Sequence, residues 1–548
     1  MTSPIAWGAI FPVNSTITGS QFLPQIAALK DGSFVAVWTD ISQTGADTSG
    51  MAVRGQLFNA DGSKKGGEFL VNTTTLGSQG LSDVTVLNDG RFVVAWFGDD
   101  GYVWARAYQA NGTAIGNDFR VSSTQNDGYA ISALTSGGFA VSYAGDGGKT
   151  YIQSFDANLQ KSGAEVVTER SSGHMQLVGL QGQYINCIET LSGKIRGEIR
   201  NNDGSAGSTG FDISTGTDNY NPTAAKLVDG RIVVIWEHLT YSEAGHEIWT
   251  VKGQILNANG TKSGGELLLS APGLVSCQDV CVTALADGGF AVGYVDRHDE
   301  NSSDIHVATF NSRMARVTDT ILSQTSGGFG GTLDIAALAD GRLAVTWHTE
   351  SSTWDGYDFG IQGQIVDLRQ SGVNLTGTAA DDRYYGSKFN DAIRGEAGND
   401  RLFGDGGNDV LAGGLGKDVL FGREGKDTLT GGKGSDAFVF DTAPMVGRVK
   451  HFDRITDFNG RADKIYLDDA IFKGLSRKVG SLDAPVKIDR KAFWKGNAAH
   501  DKNDRIVVKS SGNVLYDADG SGKGKAVVIA KIDKHAVRHV DAGDFLLI

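Results

Sequence analysis

Short apolar runs alternate with polar turns along the N-terminal two thirds of the chain, and one pattern returns seven times. In VTVLNDGRFVVAWF (84–97), an apolar run, an Asp-Gly turn and a second apolar run follow one another. This order predicts a β-hairpin with a tight turn. The copies recur at a nearly regular spacing. Their turn positions are Asp31, Asp89, Ser136, Gln181, Asp229, Asp287 and Asp340.

A second hairpin follows most copies, as in VKGQILNANGTKSGGELLLS (251–270), so each unit has four strands. A sandwich domain needs about 100 residues, whereas four strands per repeat are typical of a propeller blade. The last copy lacks its fourth strand, and GAIFPVNSTITGSQ (8–21) resembles the fourth strand of the first copy. We therefore predict an all-β chain that starts with a seven-bladed β-propeller at residues 1–372, closed by its N-terminal strand. An open array of seven units is the alternative.

A nine-residue period replaces this pattern after residue 380. Each unit places an aspartate two residues before an apolar residue, and the better copies place glycines five and two residues before the aspartate. The seven aspartates are Asp382, Asp391, Asp400, Asp409, Asp418, Asp427 and Asp436. Glycines permit tight turns that expose carbonyl oxygens. Stacked turns would align these carbonyls with the carboxylates, a ligand set that suits Ca²⁺.

The nine-residue repeat resembles the RTX family of hemolysin-type calcium-binding repeats, whose pattern is GGxGxDxUx. The resemblance is best over residues 395–439, whereas Ala380 and Phe389 stand where the pattern has glycine. It implies a parallel β-roll at residues 373–440 that holds up to five calcium ions between turns two repeats apart. The implied metal residues are Asp391, Asp400, Asp409, Asp418, Asp427, Asp436, Gly395, Gly398, Gly404, Gly407, Gly413 and Gly416. Because aligned carboxylates repel one another, calcium binding and folding should be coupled.

Residues 441–548 resemble the end of secreted RTX proteases and lipases. The segment FDRITDFNGRADKIYLDD (452–469) is similar to the β-rich cap of the roll, and DAGDFLLI is similar to an uncleaved signal for a type I secretion exporter. The resemblance implies a secreted protein, extracellular or attached to a cell surface. The N-terminus has no basic stretch followed by an apolar one, so no ordinary signal peptide is predicted. YDADGSG (516–522) is either a further calcium loop, through Asp517 and Asp519, or a plain turn.

Composition narrows the possible partners. The chain has 548 residues, 76 glycines and 7 prolines, which indicates many tight turns rather than disordered linkers. Its formal net charge of −14 argues against nucleic acid as a partner. No run of 18 apolar residues exists, so no membrane span is predicted. Three cysteines cannot form a disulfide framework, although Cys277 and Cys281 are close enough in sequence either to pair or to remain free thiols.

Candidate chemistry in the propeller lies after the second strand of four blades. The segments 40–50, 237–247, 295–304 and 348–358 are longer than their counterparts, and blades 5, 6, 7 and 1 are neighbours in a closed ring. We expect these long loops to form one crescent on one face. Its aromatic and charged side chains suit sugar recognition. The candidate ligand-binding residues are His238, Tyr241, Asp296, Arg297, His298, Glu350, Trp354 and Tyr357.

Three functions stay open at this point. The first is a binding module, an adhesin or lectin-like protein that holds an extracellular polysaccharide or a cell-surface partner. The second is a polysaccharide lyase with Tyr241, Arg297, His298 and His348 as catalytic candidates, or a hydrolase with Glu237 and Glu350. The third is a structural matrix protein. No GxSxG or HExxH motif occurs, so the sequence favours the binding module.

Overall fold

The computed structural model describes residues 5–274, 276–299, 302–326, 331–353, 356–443 and 452–548. For residues 5–8, 299, 324–326, 331, 350–353 and 356–359 it describes the backbone alone. Two compact units, Met1–Leu368 and Arg369–Ile548, make up the chain. Both consist of β-strands, which confirms the predicted all-β class. The helices in these ranges are short 3₁₀ turns: Asp146–Gly148, Arg490–Ala492, Ala536–His539 and Ala542–Asp544.

The first unit is a seven-bladed propeller. Its strands are β1 (Ile5–Pro12), β2 (Gln21–Ala28), β3 (Phe34–Asp40), β4 (Ala52–Phe58), β5 (Lys64–Leu70), β6 (Gly80–Val86), β7 (Phe92–Phe97), β8 (Val103–Tyr108), β9 (Ala114–Arg120), β10 (Gly128–Ala133), β11 (Phe139–Ala144), β12 (Lys149–Phe155), β13 (Lys161–Arg170), β14 (Met175–Gly179), β15 (Gln183–Glu189), β16 (Ile195–Asn201), β17 (Phe211–Asp212), β18 (Asn219–Lys226), β19 (Ile232–Tyr241), β20 (Glu247–Leu256), β21 (Leu267–Leu268), β22 (Cys277–Ala284), β23 (Phe290–Asp299), β24 (Ser302–Phe310), β25 (Arg316–Ser326), β26 (Gly331–Ala337), β27 (Leu343–Thr353) and β28 (Gly356–Asp367). Each blade is one four-stranded antiparallel sheet, from β2–β5 as blade 1 to β22–β25 as blade 6.

Blade 7 closes the ring with a strand from the other end of the unit. Its order is β1-β28-β27-β26, and β1 pairs antiparallel with β28. The first strand of blade 1, β2, contacts β26 of blade 7, just as the first strands of other neighbouring blades contact each other. The N-terminal strand β1 thus supplies the fourth strand of blade 7.

The core of the propeller lies between the blades. Trp38, Trp96, Trp236 and Trp347 occupy equivalent places in the second strands, and none is more than 1% exposed. Acidic residues of the fourth strands add ties between blades. For example, Glu68 accepts hydrogen bonds from the backbone N–H groups of Ser15 and Thr16. The Glu68 carboxylate thereby stabilises the contact between blades 7 and 1.

All three cysteines are free and buried. Cys277 and Cys281 lie in the same strand, β22, and neither forms a disulfide. Burial raises the pKa of the Cys187 thiol and of the Cys277 thiol to about 12. These thiols are therefore protonated and unreactive in the folded protein.

The nine-residue repeats of the second unit wind so that two repeats complete one turn. Ile393 pairs with Leu411 and Leu411 with Leu429 in one parallel sheet. Leu402 pairs with Leu420 in the other. All five side chains point inward and are fully buried. The predicted parallel β-roll is therefore confirmed.

Both sheets of the roll continue into residues 441–548. One sheet has the order β29-β31-β34-β37-β39-β45-β44-β43-β42, and the other has β30-β32-β35-β38-β40-β46-β41, while β33 and β36 pair separately. The strands are β29 (Asn374–Thr376), β30 (Arg383–Tyr385), β31 (Ala392–Ala397), β32 (Arg401–Phe403), β33 (Gly406–Gly407), β34 (Val410–Gly416), β35 (Val419–Phe421), β36 (Glu424–Gly425), β37 (Thr428–Gly434), β38 (Ala437–Phe440), β39 (Asp453–Ile455), β40 (Lys464–Leu467), β41 (Val486–Lys487), β42 (Phe493–Lys495), β43 (Ile506–Val508), β44 (Asn513–Tyr516), β45 (Val527–Lys531) and β46 (Phe545–Leu547).

The last strand, β46, lies inside this second unit. It pairs parallel with β40 and antiparallel with β41, and Phe545 and Leu547 are buried. Just before it, Asp544 forms an ion pair with Lys464 at 3.0 Å. The apolar end of the sequence is thus part of the core. Across both units, the described residues form no helix long and apolar enough to cross a membrane.

Candidate functional site

The repeated aspartates of the roll each fix one carboxylate oxygen on the backbone. Oδ1 of Asp400 accepts a hydrogen bond from the N–H of Asp382 at 2.8 Å, and Oδ1 of Asp418 accepts one from Asp400 at 2.9 Å. The same contact, made two repeats apart, orients Asp409, Asp427 and Asp436. Each aspartate therefore ties its own turn to the turn before it.

The second oxygen of these carboxylates is buried and has no hydrogen-bond partner among the described residues. This holds for Oδ2 of Asp400, Asp409, Asp418, Asp427 and Asp436. Burial raises the pKa of Asp400 and of Asp418 to about 6, and that of Asp409 to about 8. A buried carboxylate oxygen without a donor is costly unless a cation neutralises it. This row of oxygens therefore fits a cation.

Glycines make room for these oxygens. A Cβ built on Gly395, Gly404 or Gly413 would lie 2.1–2.4 Å from Oδ2 of the aspartate five residues later in the chain. A Cβ on Gly398, Gly407 or Gly416 would lie 1.6–2.4 Å from the backbone carbonyl oxygen at the same place two repeats earlier. The first set admits the carboxylate and the second lets neighbouring turns approach. Both glycine columns of the predicted site thus have a steric reason.

The donor set matches calcium. Among the described residues, no three His, Cys, Asp or Glu side chains gather around one point. Carbonyl oxygens do lie beside the carboxylates: a Cβ built on Gly404 would meet Oδ2 of Asp409 at 2.4 Å and the carbonyl oxygen of Gly422 at 2.8 Å. Hard oxygen ligands of mixed type, six to eight in number, are what Ca²⁺ takes. Asp400, Asp409, Asp418, Asp427 and Asp436, together with the carbonyls of the glycine turns, would hold it.

Asp391, also expected to bind metal, has a different environment. Its oxygens accept hydrogen bonds from the N–H groups of Val373 and Ser387 and from the Ser387 hydroxyl. In the same way, Thr378 donates to Asp382. The two copies that depart from the repeat pattern therefore supply their own donors, and calcium ligation by Asp391 stays a prediction.

Two further aspartates continue the row beyond the regular repeats. Oδ1 of Asp453 accepts from the N–H of Asp427 at 3.0 Å, and Oδ1 of Asp463 accepts from Asp436 at 3.2 Å. Burial raises the pKa of Asp453 to about 8. Neither aspartate was predicted, because the chain between each of them and its partner is longer than two repeats. Their signal is an aspartate two residues before Ile455 or Ile465.

A family model for the RTX calcium-binding nonapeptide repeat (4 copies) matches residues 376–411 and 403–438. Residues 376–438 are RTX calcium-binding repeats. The RTX match covers the aspartates with unpartnered oxygens and leaves the propeller unassigned.

No curated protein sequence matches the chain. Among solved structures, a protein of unknown function from Dyadobacter fermentans is 11% identical, with a TM-score of 0.43, over 66% of this chain and 98% of that one. The α-L-arabinofuranosidase Arb93A from Fusarium graminearum is 11% identical, with a TM-score of 0.41, over 67% and 98%. A fungal alcohol oxidase of the AA5 family is 12% identical, with a TM-score of 0.46, over 68% and 82%. Similarities this low say nothing of function.

The segments expected to be long loops in blades 5 and 6 are mainly strand extensions. β19 runs to Tyr241 and β20 starts at Glu247, so the hairpin projects beyond its neighbours. In blade 6, β23 and β24 are likewise extended. The side chains are therefore held in β-sheet register rather than on irregular loops. In blade 7, Trp354 and the side chains of Glu350 and Tyr357 lie outside the described part of the structure.

The other predicted propeller residues differ in exposure. Tyr241 is 63% exposed and Asp296 is 3% exposed. His298 Nε2 lies 3.1 Å from Asp304, and His238 Nδ1 lies 3.0 Å from the Asn219 side-chain oxygen. Burial lowers the pKa of His348 to about 4, so its imidazole is neutral at neutral pH. Nothing among the described residues gathers all of them into one cluster.

A different set of polar residues links blades 4, 5 and 6. Nδ1 of His174 lies 3.2 Å from Glu189, which accepts the N–H of Asn221 at 3.1 Å. The Asn221 amide donates to Glu237 at 2.9 Å, and Glu237 accepts the N–H of Asp279 at 2.7 Å. Asp279 in turn pairs with Arg297. We call these six residues the polar chain.

A bulge near the start of the first strand of a blade, as in β18 and β22, makes the polar chain possible. Asn221 and Asp279 have φ of 51° and 52°, which turns their N–H groups toward the preceding blade. In blade 2, Leu81 has φ of 54° and donates to the Thr39 hydroxyl of blade 1. The hydrogen bond from a bulge N–H to the preceding blade is therefore a structural feature of the propeller. In blades 4 and 5, however, its acceptor is an ionisable side chain. Burial, and then the charge of Asp279, raise the pKa of Glu237 to about 7.

The sequence carried a signal for this chain. Glu189 and Glu237 occupy the position directly after the second-strand residue that is equivalent to Trp38. The seven residues there are Thr39, Phe97, Ala144, Glu189, Glu237, Val295 and His348. At this position, ionisable residues occur only in blades 4, 5 and 7. Loop length does not reveal this pattern.

Aromatic rings lie beside the polar chain in blade 5. The rings of Tyr220 and Trp249 are 5.4 Å apart, and both residues are partly exposed. Partial burial and the charges of Asp218 and Glu189 raise the pKa of Tyr220. Strand register pairs Trp249 with Leu239 and Tyr241 with Glu247, so Tyr241 lies on the same face of the hairpin as Trp249. An aromatic surface next to buried carboxylates can both stack on a ring and accept hydroxyl hydrogen bonds.

Proposed function

We propose that this is a secreted, calcium-dependent binding protein whose propeller holds an extracellular polysaccharide on blade 5. The observation that carries the proposal is the aromatic surface of Tyr220, Tyr241 and Trp249 beside the polar chain. Sugar rings stack on aromatic faces, and carboxylates accept hydrogen bonds from their hydroxyl groups. The RTX repeats support an extracellular location, because calcium is plentiful there and scarce in the cytosol.

Replacing both Trp249 and Tyr241 by alanine should weaken polysaccharide binding by about 5- to 150-fold, because each substitution removes a stacking contact of about 0.5–1.5 kcal/mol. Light scattering coupled to size-exclusion chromatography, with calcium and a panel of neutral and acidic polysaccharides, would measure this. Trp494→Ala is the matched control, because Trp494 is 39% exposed but lies in the second unit. Equal loss in the control would contradict the assignment to blade 5.

Hydrolysis of the same ligand is the second candidate, favoured by Glu237. This carboxyl is 4% exposed and has a pKa of about 7, as a general acid requires. An acid must be protonated, so activity should fall as the pH rises through about 7. A polysaccharide that shrinks during the experiment, but keeps its size with Glu237→Gln, would replace the binding module with an enzyme. The conservative variant Glu237→Asp serves as the control for folding.

We further propose that a type I exporter passes the chain unfolded. The support is the position of β46, whose buried Phe545 and Leu547 are accessible only before the second unit folds. Calcium outside the cell would then drive folding of the RTX repeats and retain the protein there.

A further inference from the structure

The end of the chain has a charge opposite to that of the whole protein. Residues 441–548 contain 20 lysines and arginines against 15 aspartates and no glutamate, which gives +5, whereas the full chain has −14. A positive region in an acidic protein is not needed for calcium binding. It points to a second kind of ligand, with negative charge.

Part of this charge surrounds a single cavity of about 520 Å³ in the second unit. Three cations of this region line it, Arg454, Lys531 and Lys534, together with Lys426 of the RTX repeats, and Asp533 is the one carboxylate in the lining. We call it the basic cavity. Its volume lies in the range of ligand pockets, about 300–1,000 Å³.

Strand register places two of the cations side by side. Arg454 of β39 pairs with Lys531 of β45, and both side chains are exposed while Ile455 and Ala530 are buried. Neighbouring strands are about 4.8 Å apart, a separation at which like charges repel. Within the described residues, none of the four cations forms an ion pair with a carboxylate. A single carboxylate, that of Asp533, does not balance the four cations, and a bound anion would supply the missing negative charge.

The remaining lining completes an oxyanion site. The hydroxyls of Thr456 and Ser511 are further donors, and the Arg454 guanidinium can grip an oxyanion with two parallel hydrogen bonds. Phe452 and Ile455 provide an apolar wall, and the Lys426 ammonium lies 5.8 Å from the Phe452 ring centre. A cavity with cations and an apolar wall suits a ring that bears an anionic group better than a lone ion.

We propose that the basic cavity binds the sulfate or carboxylate groups of an acidic polysaccharide. The site belongs to the second unit and does not depend on the aromatic surface of blade 5. The chemistry shared by all its ligands is an oxyanion, and the carbohydrate carries it into the cavity.

The test uses the full calcium-loaded chain and labelled dextran sulfate, with uncharged dextran as the matched neutral polymer. Fluorescence anisotropy should show binding of dextran sulfate alone. The double variant R454Q/K531Q should bind at least about tenfold more weakly, because it removes charged hydrogen bonds. The control K502Q/K525Q removes the same charge from exposed lysines that do not line the cavity. It should retain the original affinity.

Other arms separate the sources of the oxyanion. Inorganic sulfate at millimolar concentration should compete weakly, whereas competition as strong as that of dextran sulfate, per sulfate group, would overturn the polysaccharide assignment. A DNA duplex that binds as tightly as dextran sulfate would overturn it too. Equal losses in R454Q/K531Q and K502Q/K525Q would show diffuse attraction and no site. The double variant with Trp249→Ala and Tyr241→Ala should still bind dextran sulfate. That result would show that binding at the basic cavity does not depend on the propeller.

Discussion

Removing calcium with EGTA should unfold the second unit, Arg369–Ile548, while the propeller stays folded. Five buried carboxylate oxygens in the roll have no hydrogen-bond partner among the described residues. Without a cation they repel one another in a medium that screens poorly. A site at calcium about 1,000-fold above its Kd contributes about 4 kcal/mol, and the stability of a whole domain is about 5–15 kcal/mol. Several filled sites therefore decide whether the roll folds.

Hydrogen exchange with mass spectrometry would locate the effect along the chain. In EGTA, peptides from the RTX repeats and from β39 to β46 should lose protection, because the two sheets run through both regions. Peptides from β2 to β28 should keep theirs. Refilling with Mg²⁺ instead of Ca²⁺ is the control, since Mg²⁺ demands a tighter octahedral site. Unchanged protection of the repeats in EGTA would contradict calcium-coupled folding.

Much of the fold was predictable because it rests on local turns repeated at fixed spacing. Asp-Gly turns between apolar runs define hairpins, so the blades could be counted from the sequence. The core leucines of the roll, such as Leu411 and Leu420, follow from the nine-residue period, because two repeats complete one turn. The pairing of β1 with the last blade was predictable as well, because β1 resembles the fourth strand of blade 1 and the last copy of the repeat lacks such a strand.

The parts that escaped prediction depend on tertiary contacts. Asp453 and Asp463 belong to the row of aspartates although 26 and 27 residues, rather than 18, separate them from Asp427 and Asp436. Glu189 and Asn221 lie in ordinary strand sequences, and a bulge in the next blade brings their polar groups together. The extension of β19 to Tyr241 was missed because a short polar segment shows little alternation. Pairing with β20 makes it a strand.

Gly416→Ala should strongly destabilise the roll. Gly416 has φ of 139°, and a Cβ there would lie 1.6 Å from the carbonyl oxygen of Gly398 in the neighbouring turn. That oxygen belongs to the backbone, so the clash cannot be relieved by a side-chain rotation. The backbone conformation alone costs about 1–3 kcal/mol for a residue other than glycine. We expect a total above about 3 kcal/mol and a fall in Tm of the second unit of at least about 6 °C.

Gly406→Ala provides the matched control in the same roll. A Cβ on Gly406 would meet its nearest atom, the Lys388 Cα, at 3.5 Å, an ordinary contact. This variant should change stability by less than about 1 kcal/mol. Calorimetry in saturating calcium, together with a calcium titration, would compare the two. If both variants lose stability, the roll tolerates no alanine at all. If neither does, its turns are farther apart than the Gly398–Gly416 contact requires.

If Gly416→Ala alone loses both stability and calcium affinity, calcium binding depends on the close approach of successive turns. The ligand oxygens of two turns reach one ion only when the backbone between them has no side chain.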